Sequence, residues 1–429
     1  MIRIVRKVLP VMVLMIGWLV IVGLGTLNGW WHQSIAPQGH LDEFVHASES
    51  RAQSQFVGNI AMALIENGRV YSEYFHSLDA SVDGNSVFQV ASLSKYITAW
   101  GVMKMVEDGK LDLDTPVHKY LTRWQLPPSQ FDNDGVTVRR LLSHTAGLTD
   151  GLGYGGFNPG EQVQSLEASL THAVDASPGA DGRVAVNIAP GTEWKYSGGG
   201  YTLIQLIIEE VTGQSFEEYM QMVIFKPIGM NSTTYIHDKV SPHQLAISYN
   251  NDSTEAIWYR FTSLAATSLY TSLNDLKQFA QAHFPDRYRE TAVLKAETIE
   301  LMRYPHAYSM GAAIWGLGSM LFAPNKQEDF IIGHDGKNEP AINTAFRLNP
   351  FTGNGIIILE TGSPLLATEI ASEWVFWETG NVDLLMFMSS MDESVILIIL
   401  GWVVIIIFLL LLKYALEPRY TSTKSGVFG

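Results

Sequence analysis

With 429 residues, 47% of them hydrophobic, the chain is long enough for one large or two ordinary domains with a substantial core. Its net charge of −15, from 28 basic and 43 acidic residues, argues against nucleic acid, whose phosphates it would repel. Cysteine is absent, which removes disulfides, thiolate nucleophiles and Cys-ligated zinc together.

Residues 8–27 carry no charge, follow Arg3, Arg6 and Lys7, and precede Trp30 and Trp31. About 20 apolar residues span a bilayer, with basic residues on the cytoplasmic side and tryptophan at the interface. The rival is a cleaved signal peptide, but the apolar run is longer than such peptides carry and no A-x-A site follows. An uncleaved anchor after a short tail (1–7) is expected. Residues 28–55, polar over most of their length, are read as a stalk or a first surface helix.

"VGNIAMALIENGRVYSEYF" then gives two strand-like runs around Glu66-Asn67-Gly68, a hairpin signal. Residues 93–108 predict a helix stopped by Gly109, and "TVRRLLSHTAGL" (137–148) a short helix ended by glycine. Residues 150–190 are loop-heavy, rich in Gly, Pro, Ala and Asp, and "YTLIQLIIEEVTG" predicts a helix closed by Gly213. Late in the chain, "INTAFRLNP-FTGNG-IIILETG" reads strand, turn, strand. Strands near both ends with helices between predict an α/β (α+β) domain over 56–380. One antiparallel sheet would be assembled from both chain ends and packed against a helical region. After a juxtamembrane stretch (381–394), residues 395–412 form a second uncharged run. Asp392 and Glu393 precede that run, and Lys413, Arg419 and Lys424 follow it in the tail 413–429. Basic flanks at both outer ends place both termini in the cytoplasm. The domain between them is then exported, anchored in the lipid bilayer of a bacterial inner membrane.

Within "VASLSKYITAW" (90–100), Ser92 and Lys95 form an S-x-x-K. Serine is a weak nucleophile until a base takes its proton, and a residue three positions on along a helix returns to the same face. A desolvated lysine there loses proton affinity and can act as that base. Unpaired N–H groups at a helix start can stabilise an oxyanion. The competing interpretation is a serine N-cap beside a lysine that snorkels to water.

The surroundings decide between these. "HTAGL" (144–148) comes first, then "PGTEWKYSGGGYTLIQLIIEEVTG" (190–213), "KPIGMNSTTY" (226–235) and "GHDGKNEP" (333–340). In this order the segments resemble serine β-lactamase-related hydrolases of the class C β-lactamase and D-Ala-D-Ala peptidase type. Those proteins carry S-x-x-K, then Y-x-N or Y-S-G, then K-T-G or H-x-G on an edge strand. The resemblance implies a β-lactamase/transpeptidase-like fold and an acyl-enzyme on Ser92. It makes Lys95 and Tyr196 together the general base, with Tyr196 protonating the leaving group and later helping to activate the deacylating water. His334, Asp335 and Gly336 would line the edge strand, and the backbone N–H groups of Ser92 and Lys337 would form the oxyanion hole. His144 is expected to be structural.

Two positions depart from the family pattern. Gly198 stands in place of the asparagine that holds the substrate acylamino group in β-lactamases. His334-Asp335 stands in place of Lys-Thr, which grips the β-lactam carboxylate. A neutral histidine beside a carboxylate grips an anion poorly, which favours a peptidase, amidase or esterase over a dedicated β-lactamase. Substrates that are neutral or carry an amine are expected if Asp335 faces the cleft. Adjacent strand residues face opposite sides, so Asp335 could also point away.

The expected partner is a small-molecule or peptide substrate; no cofactor is expected, and the oligomeric state is not legible. H-E-x-x-H, G-x-S-x-G and a glycine-rich phosphate loop are all missing, and the histidines are scattered. The alternative from another class is an acylation-based receptor of penicillin-receptor type. With seven residues before the first span and seventeen after the second, neither tail could fold as a signalling module, so the enzyme is preferred.

Overall fold

The computed structural model describes residues 2–151, 153–339 and 341–416; Arg419 and Lys424 lie outside the described residues. The chain divides into two compact units, one running Ser34–Leu384 and the other formed by the segments on either side of it.

In the flanking unit two helices, Ile2–Leu27 and Met391–Leu416, pack together. The indole of Trp18 donates to the carbonyl of Leu397 and that of Trp402 to Met15, each at 3.0 Å, while Thr26 and Ser394 hydroxyls meet at 2.7 Å. These bonds pair polar groups between the two helices. The stretches Leu9–Leu27 and Met391–Tyr414 are long and apolar enough to cross a bilayer, by length and composition.

Ser34–Leu384 is built on an eight-stranded antiparallel sheet. Its strands are β1 (Asn59–Glu66), β2 (Arg69–Ser77), β5 (Ala307–Ser309), β6 (Ala312–Trp315), β7 (Met320–Pro324), β8 (Phe330–Asn338), β9 (Ile342–Leu348) and β10 (Gly355–Thr361). β3 (Val87–Gln89) and β4 (Tyr270–Ser272) form a separate pair. The sheet order is β2-β1-β10-β9-β8-β7-β6-β5, so early and late strands meet at β1–β10, with Ile60 opposite Glu360 and Leu64 opposite Ile356. The sheet is thus closed by both chain ends. β1 and β10 are covered on both faces and read as near-continuous apolar runs. β2, on the edge, is largely exposed. The β1–β2 turn places Asn67 at φ 51° and Gly68 at φ 75°, the left-handed pair that a two-residue hairpin requires.

The Leu366–Thr379 helix covers β9 and β10 on one face, and the Leu93–Glu107 helix lies near β8 and β9. Residues 41–55 form a helix rather than an extended stalk. The Phe44 ring packs tilted against that of Trp377, 5.1 Å between centroids, and Arg51 reaches Glu369 and Glu373 at 2.7 and 3.2 Å. Among the described residues of 150–190 one helix, Leu166–His172, is capped by Ser165, and the others are loop.

Two expectations need correction. The helix over 137–148 spans only Val138–Leu142; His144, at φ 57°, lies just beyond it and Gly147 comes later. β8 is an inner strand of the sheet, not its edge. Pairing with β7 stops at Gly333, however, so His334–Asn338 pair with β9 alone and form a local edge.

Candidate active site

Ser92 is delivered by β3 through a strained turn. Ala91 sits at φ 46°, a left-handed conformation that a Cβ disfavours by roughly 1–2 kcal/mol. Its carbonyl accepts from the Ser94 N–H at 3.0 Å and the Ser94 hydroxyl at 2.5 Å, and Ser94 in turn accepts from the Leu269 N–H at 3.0 Å. Ser92 starts the Leu93–Glu107 helix, but its side chain makes no capping bond. Lys95 Nζ, one turn on, donates to Ser92 Oγ at 3.1 Å and to the Ala266 carbonyl at 2.8 Å. Lys95 is only 1% exposed, so neither the capping serine nor the snorkelling lysine describes this pair.

The Tyr196 ring lies beside them, its centroid 4.9 Å from Lys95 Nζ. The turn that holds it precedes the Gly198–Thr212 helix, capped by Ser197, whose hydroxyl accepts from the Gly200 N–H at 2.8 Å. Ser197 Oγ also donates to the buried Asp150 carboxylate, which accepts from the Gly199 N–H at 2.7 Å. Burial pushes the Asp150 carboxyl up, opposed by those two hydrogen bonds.

His144 grips the chain on both sides of Tyr196. Its carbonyl accepts from the Lys195 N–H at 2.8 Å and its Nδ1 from the Ser197 N–H at 3.1 Å, while its ring lies 4.4 Å from that of Tyr196. These bonds explain the left-handed backbone of His144 and assign its tautomer: Nδ1 accepts, so the neutral ring carries its proton on Nε2. Burial, then the charge of Lys95, then His334, holds His144 well below the ordinary histidine range. The residue that the sequence placed in a structural role is therefore a positioning residue for Tyr196. The H-T-A-G-L segment was visible, but no local pattern announces a bond to residues 195 and 197.

Along β8 successive side chains part company. His334 is buried edge-on to Trp315 at 5.4 Å, and burial followed by the charge of Lys95 pushes it down to about 3. Its Nδ1–H donates to the Asp335 carbonyl at 2.6 Å, leaving Nε2 as an acceptor. Asp335 turns to the other face. It binds both terminal nitrogens of the fully buried Arg347, with Nη2 at 3.0 Å, and accepts from Thr368 Oγ1 at 2.8 Å. Of the two orientations open to Asp335, the one that places a carboxylate in the cleft is not adopted: the pleat allows either face, and Arg347 holds the side chain on the far one.

Gly336 faces the serine side, and a Cβ there would fall 2.0 Å from the Val90 carbonyl oxygen. β8 thus passes against the backbone that leads into Ser92, and Thr344 Oγ1 donates to that same carbonyl at 3.1 Å. The Lys337 side chain is exposed, so only its backbone is available to a neighbouring site. At Gly198 a Cβ would lie 2.9 Å from the ring of Tyr154, whose hydroxyl meets Thr202 at 2.9 Å. Tyr154, from the loop-heavy region, occupies the space an asparagine side chain would need.

Around this cluster His144 Nε2, His334 Nε2, Trp194 Nε1 and Trp315 Nε1 are buried without a protein partner among the described residues. Such groups are few in native proteins because each costs its desolvation. Among the described residues no group of three or more His, Asp or Glu side chains is arranged to hold a metal ion.

The chain is similar in sequence and in fold to known proteins. Penicillin-binding protein 4* of Bacillus subtilis (strain 168) is 27% identical over 223 residues, covering 52% of this chain and 45% of that protein. Penicillin-binding protein 4 of Amycolatopsis lactamdurans is 29% identical over 270 residues, covering 60% of this chain and 67% of that one. The chain therefore spans about half to two thirds of the length of these curated relatives. The crystal structure of D-amino acid amidase from Ochrobactrum anthropi SV3 superimposes with a TM-score of 0.62 at 22% identity, over 82% of this chain and 99% of the amidase, which shows a shared fold. The sequence profile of the family described as Beta-lactamase matches residues 44–373, from the helix that carries Phe44 to the one that covers β9 and β10, and the chain belongs to that family.

Proposed function

We propose that the protein is a membrane-anchored serine hydrolase that acts outside the cytoplasm, cleaving an amide or ester through an acyl-enzyme on Ser92. One observation carries this reading: a buried lysine amine 3.1 Å from Ser92 Oγ, tethered to a backbone carbonyl and lying beside the Tyr196 ring. The Lys95–Tyr196 pair takes the Ser92 hydroxyl proton as Oγ attacks the substrate carbonyl carbon. The negative charge on the carbonyl oxygen is met by the N–H groups of Ser92 and Lys337. As the carbon–nitrogen or carbon–oxygen bond breaks, Tyr196 returns the proton to the departing amine or alcohol. A water then repeats the sequence on the ester, losing its proton to the same pair and releasing the acid and free Ser92.

Two features support a peptidase, amidase or esterase over a dedicated β-lactamase. His334 is neutral and presents an acceptor where a cation would grip a carboxylate. Gly198 offers no amide to an acylamino group, and Tyr154 fills its place. The anchoring rests on the apolar stretches Leu9–Leu27 and Met391–Tyr414 and the basic residues outside them.

The test is covalent labelling of the full-length protein in membranes with a fluorophosphonate, which loses fluoride to the activated serine. Mass spectrometry should find the adduct on Ser92, and Ser92→Ala should lose both label and turnover of a D-alanyl anilide while staying folded. An adduct on another serine, or turnover retained by Ser92→Ala, overturns the reading.

A further inference from the structure

The turn that carries Tyr196 runs into three consecutive glycines, Gly198, Gly199 and Gly200, at the start of a helix. Each glycine in a helix costs about 1 kcal/mol relative to alanine. At Gly199 a Cβ would lie 2.5 Å from Val184 Cγ2 and 2.8 Å from Asp150 Cγ, so a side chain there would collide with a buried carboxyl group. We propose that Asp150 is a positioning residue for Tyr196: through the Ser197 hydroxyl and the Gly199 N–H it fixes the turn from which Tyr196 protonates the leaving group. The inference rests on the acid–base role given to Tyr196 above and adds a residue to it.

The bonds that hold Tyr196 run through its neighbours in the chain. His144 takes the N–H groups of Lys195 and Ser197, and Asp150 supplies a second anchor. Asp150 Oδ1 accepts from the Ser197 hydroxyl and Oδ2 from the Gly199 N–H at 2.7 Å, while Ser197 Oγ accepts from the Gly200 N–H at 2.8 Å. Elsewhere in the fold Thr137 and Ser165 cap their helices by the hydroxyl bond to the backbone alone. Behind Ser197 a carboxyl group is added, only 6% exposed, at the desolvation cost of burying it. Its own loop is tied down independently: the Asp150 carbonyl accepts from the Gly182 N–H at 3.3 Å, and Leu148 bridges to Val186.

Tyr196 and Ser92 come from different elements, and the Tyr196 ring must stay beside Lys95 Nζ, now 4.9 Å from its centroid. A shift of about 1 Å in a catalytic group can cost roughly 10²-fold in rate. The chemistry also says which substrates would feel such a shift. The nitrogen of an anilide departs only as it gains a proton, whereas p-nitrophenolate departs without one. A displaced Tyr196 therefore slows an anilide more than an activated ester. A carboxyl group that served folding alone would show no such selectivity.

The experiment measures kcat/KM of the detergent-solubilised full-length protein on D-alanyl p-nitroanilide and on p-nitrophenyl acetate. Asp150→Asn keeps the shape, but its one amide oxygen can accept from only one of the two donors. It should lower the anilide rate roughly ten- to a hundredfold, with a loss on the ester several times smaller. Combined with Tyr196→Phe, it should slow the anilide no further than Tyr196→Phe alone, within about twofold, because the group it positions has gone. Gly199→Ala strains the same contact from the helix side and should show the same selective loss, so either variant that circular dichroism finds folded decides the matter. Equal losses on anilide and ester, or a loss that adds in full to that of Tyr196→Phe, would overturn the assignment and leave Tyr196 in its role. A Tyr196→Phe protein as fast as the native one on the anilide would overturn the role of Tyr196 and this inference with it.

Discussion

The two faces of β8 handle polar groups in opposite ways, one residue apart. On the His334 side the protein holds Lys95, His144, His334 and Tyr196 among Trp194 and Trp315, and several of their buried nitrogens have no protein partner. On the Asp335 side charge meets charge. Arg347 grips Asp335, its guanidinium lies 3.4 Å over the Phe322 ring, and Asn343 ties Thr368 to the Gly336 carbonyl at 2.9 and 3.3 Å. The paired face fixes where the strand lies. The His334 face leaves bonding capacity around Ser92 for something the fold does not supply; the far face also holds an unpartnered atom, Arg347 Nε, but there the charges meet each other.

The contrast breaks most visibly at Lys95. Lys95→Met keeps the volume and removes the proposed base, so turnover should fall roughly 10²–10⁴-fold while the unfolding midpoint changes little. Retained turnover would place the base elsewhere. Behind the strand the pattern should invert. Arg347→Met leaves the Asp335 carboxylate buried and unpaired, which should cost about 3–5 kcal/mol in denaturant unfolding. The rate per folded molecule should stay near that of the native protein. If Arg347→Met abolished chemistry without loss of stability, the two faces would not be separable in this way.

How much of this was legible in sequence depends on whether the cause was local. The β1–β2 hairpin, the helix after Ser92 and the helix closed by Gly213 announce themselves through turn residues and periodicity, and they stand where expected. The serine–lysine pair was legible because one helical turn fixes its spacing. His144 was undervalued because its bonds run to residues about fifty positions away. Gly198 looked like a missing amide and is also the floor under Tyr154, a contact that no window of sequence contains. Strand alternation left Asp335 free to face either way, and Arg347, twelve residues on, decides it. β8 was placed at an edge by the resemblance to the family; no pattern in the sequence announces that β7 pairs with its first half, which leaves only His334–Asn338 as a local edge.

The smallest expected effect concerns substrate charge, and it sharpens the comparison furthest. A carboxylate already neutralised by a bidentate arginine on the far face projects little field into the cleft. Replacing both partners, Asp335→Thr with Arg347→Met, removes the pair, and the buried Asp383 carboxylate, 3.8 Å from Arg347 Nη2, loses that ion pair with it. The ratio of kcat/KM for benzylpenicillin to that for a neutral D-alanyl amide should then stay within about twofold of the native value, the size of change that screened electrostatics leaves. His334 is the position that should matter. His334→Lys puts an ammonium where a neutral acceptor now stands, and the ratio should move roughly tenfold towards the anionic substrate, limited by the cost of burying a second cation near Lys95. Circular dichroism and the unfolding midpoint establish that each variant is folded before rates are compared. A double substitution that shifts the ratio further than His334→Lys would mean that the far face reaches the substrate after all, and the division of labour across β8 would have to be abandoned.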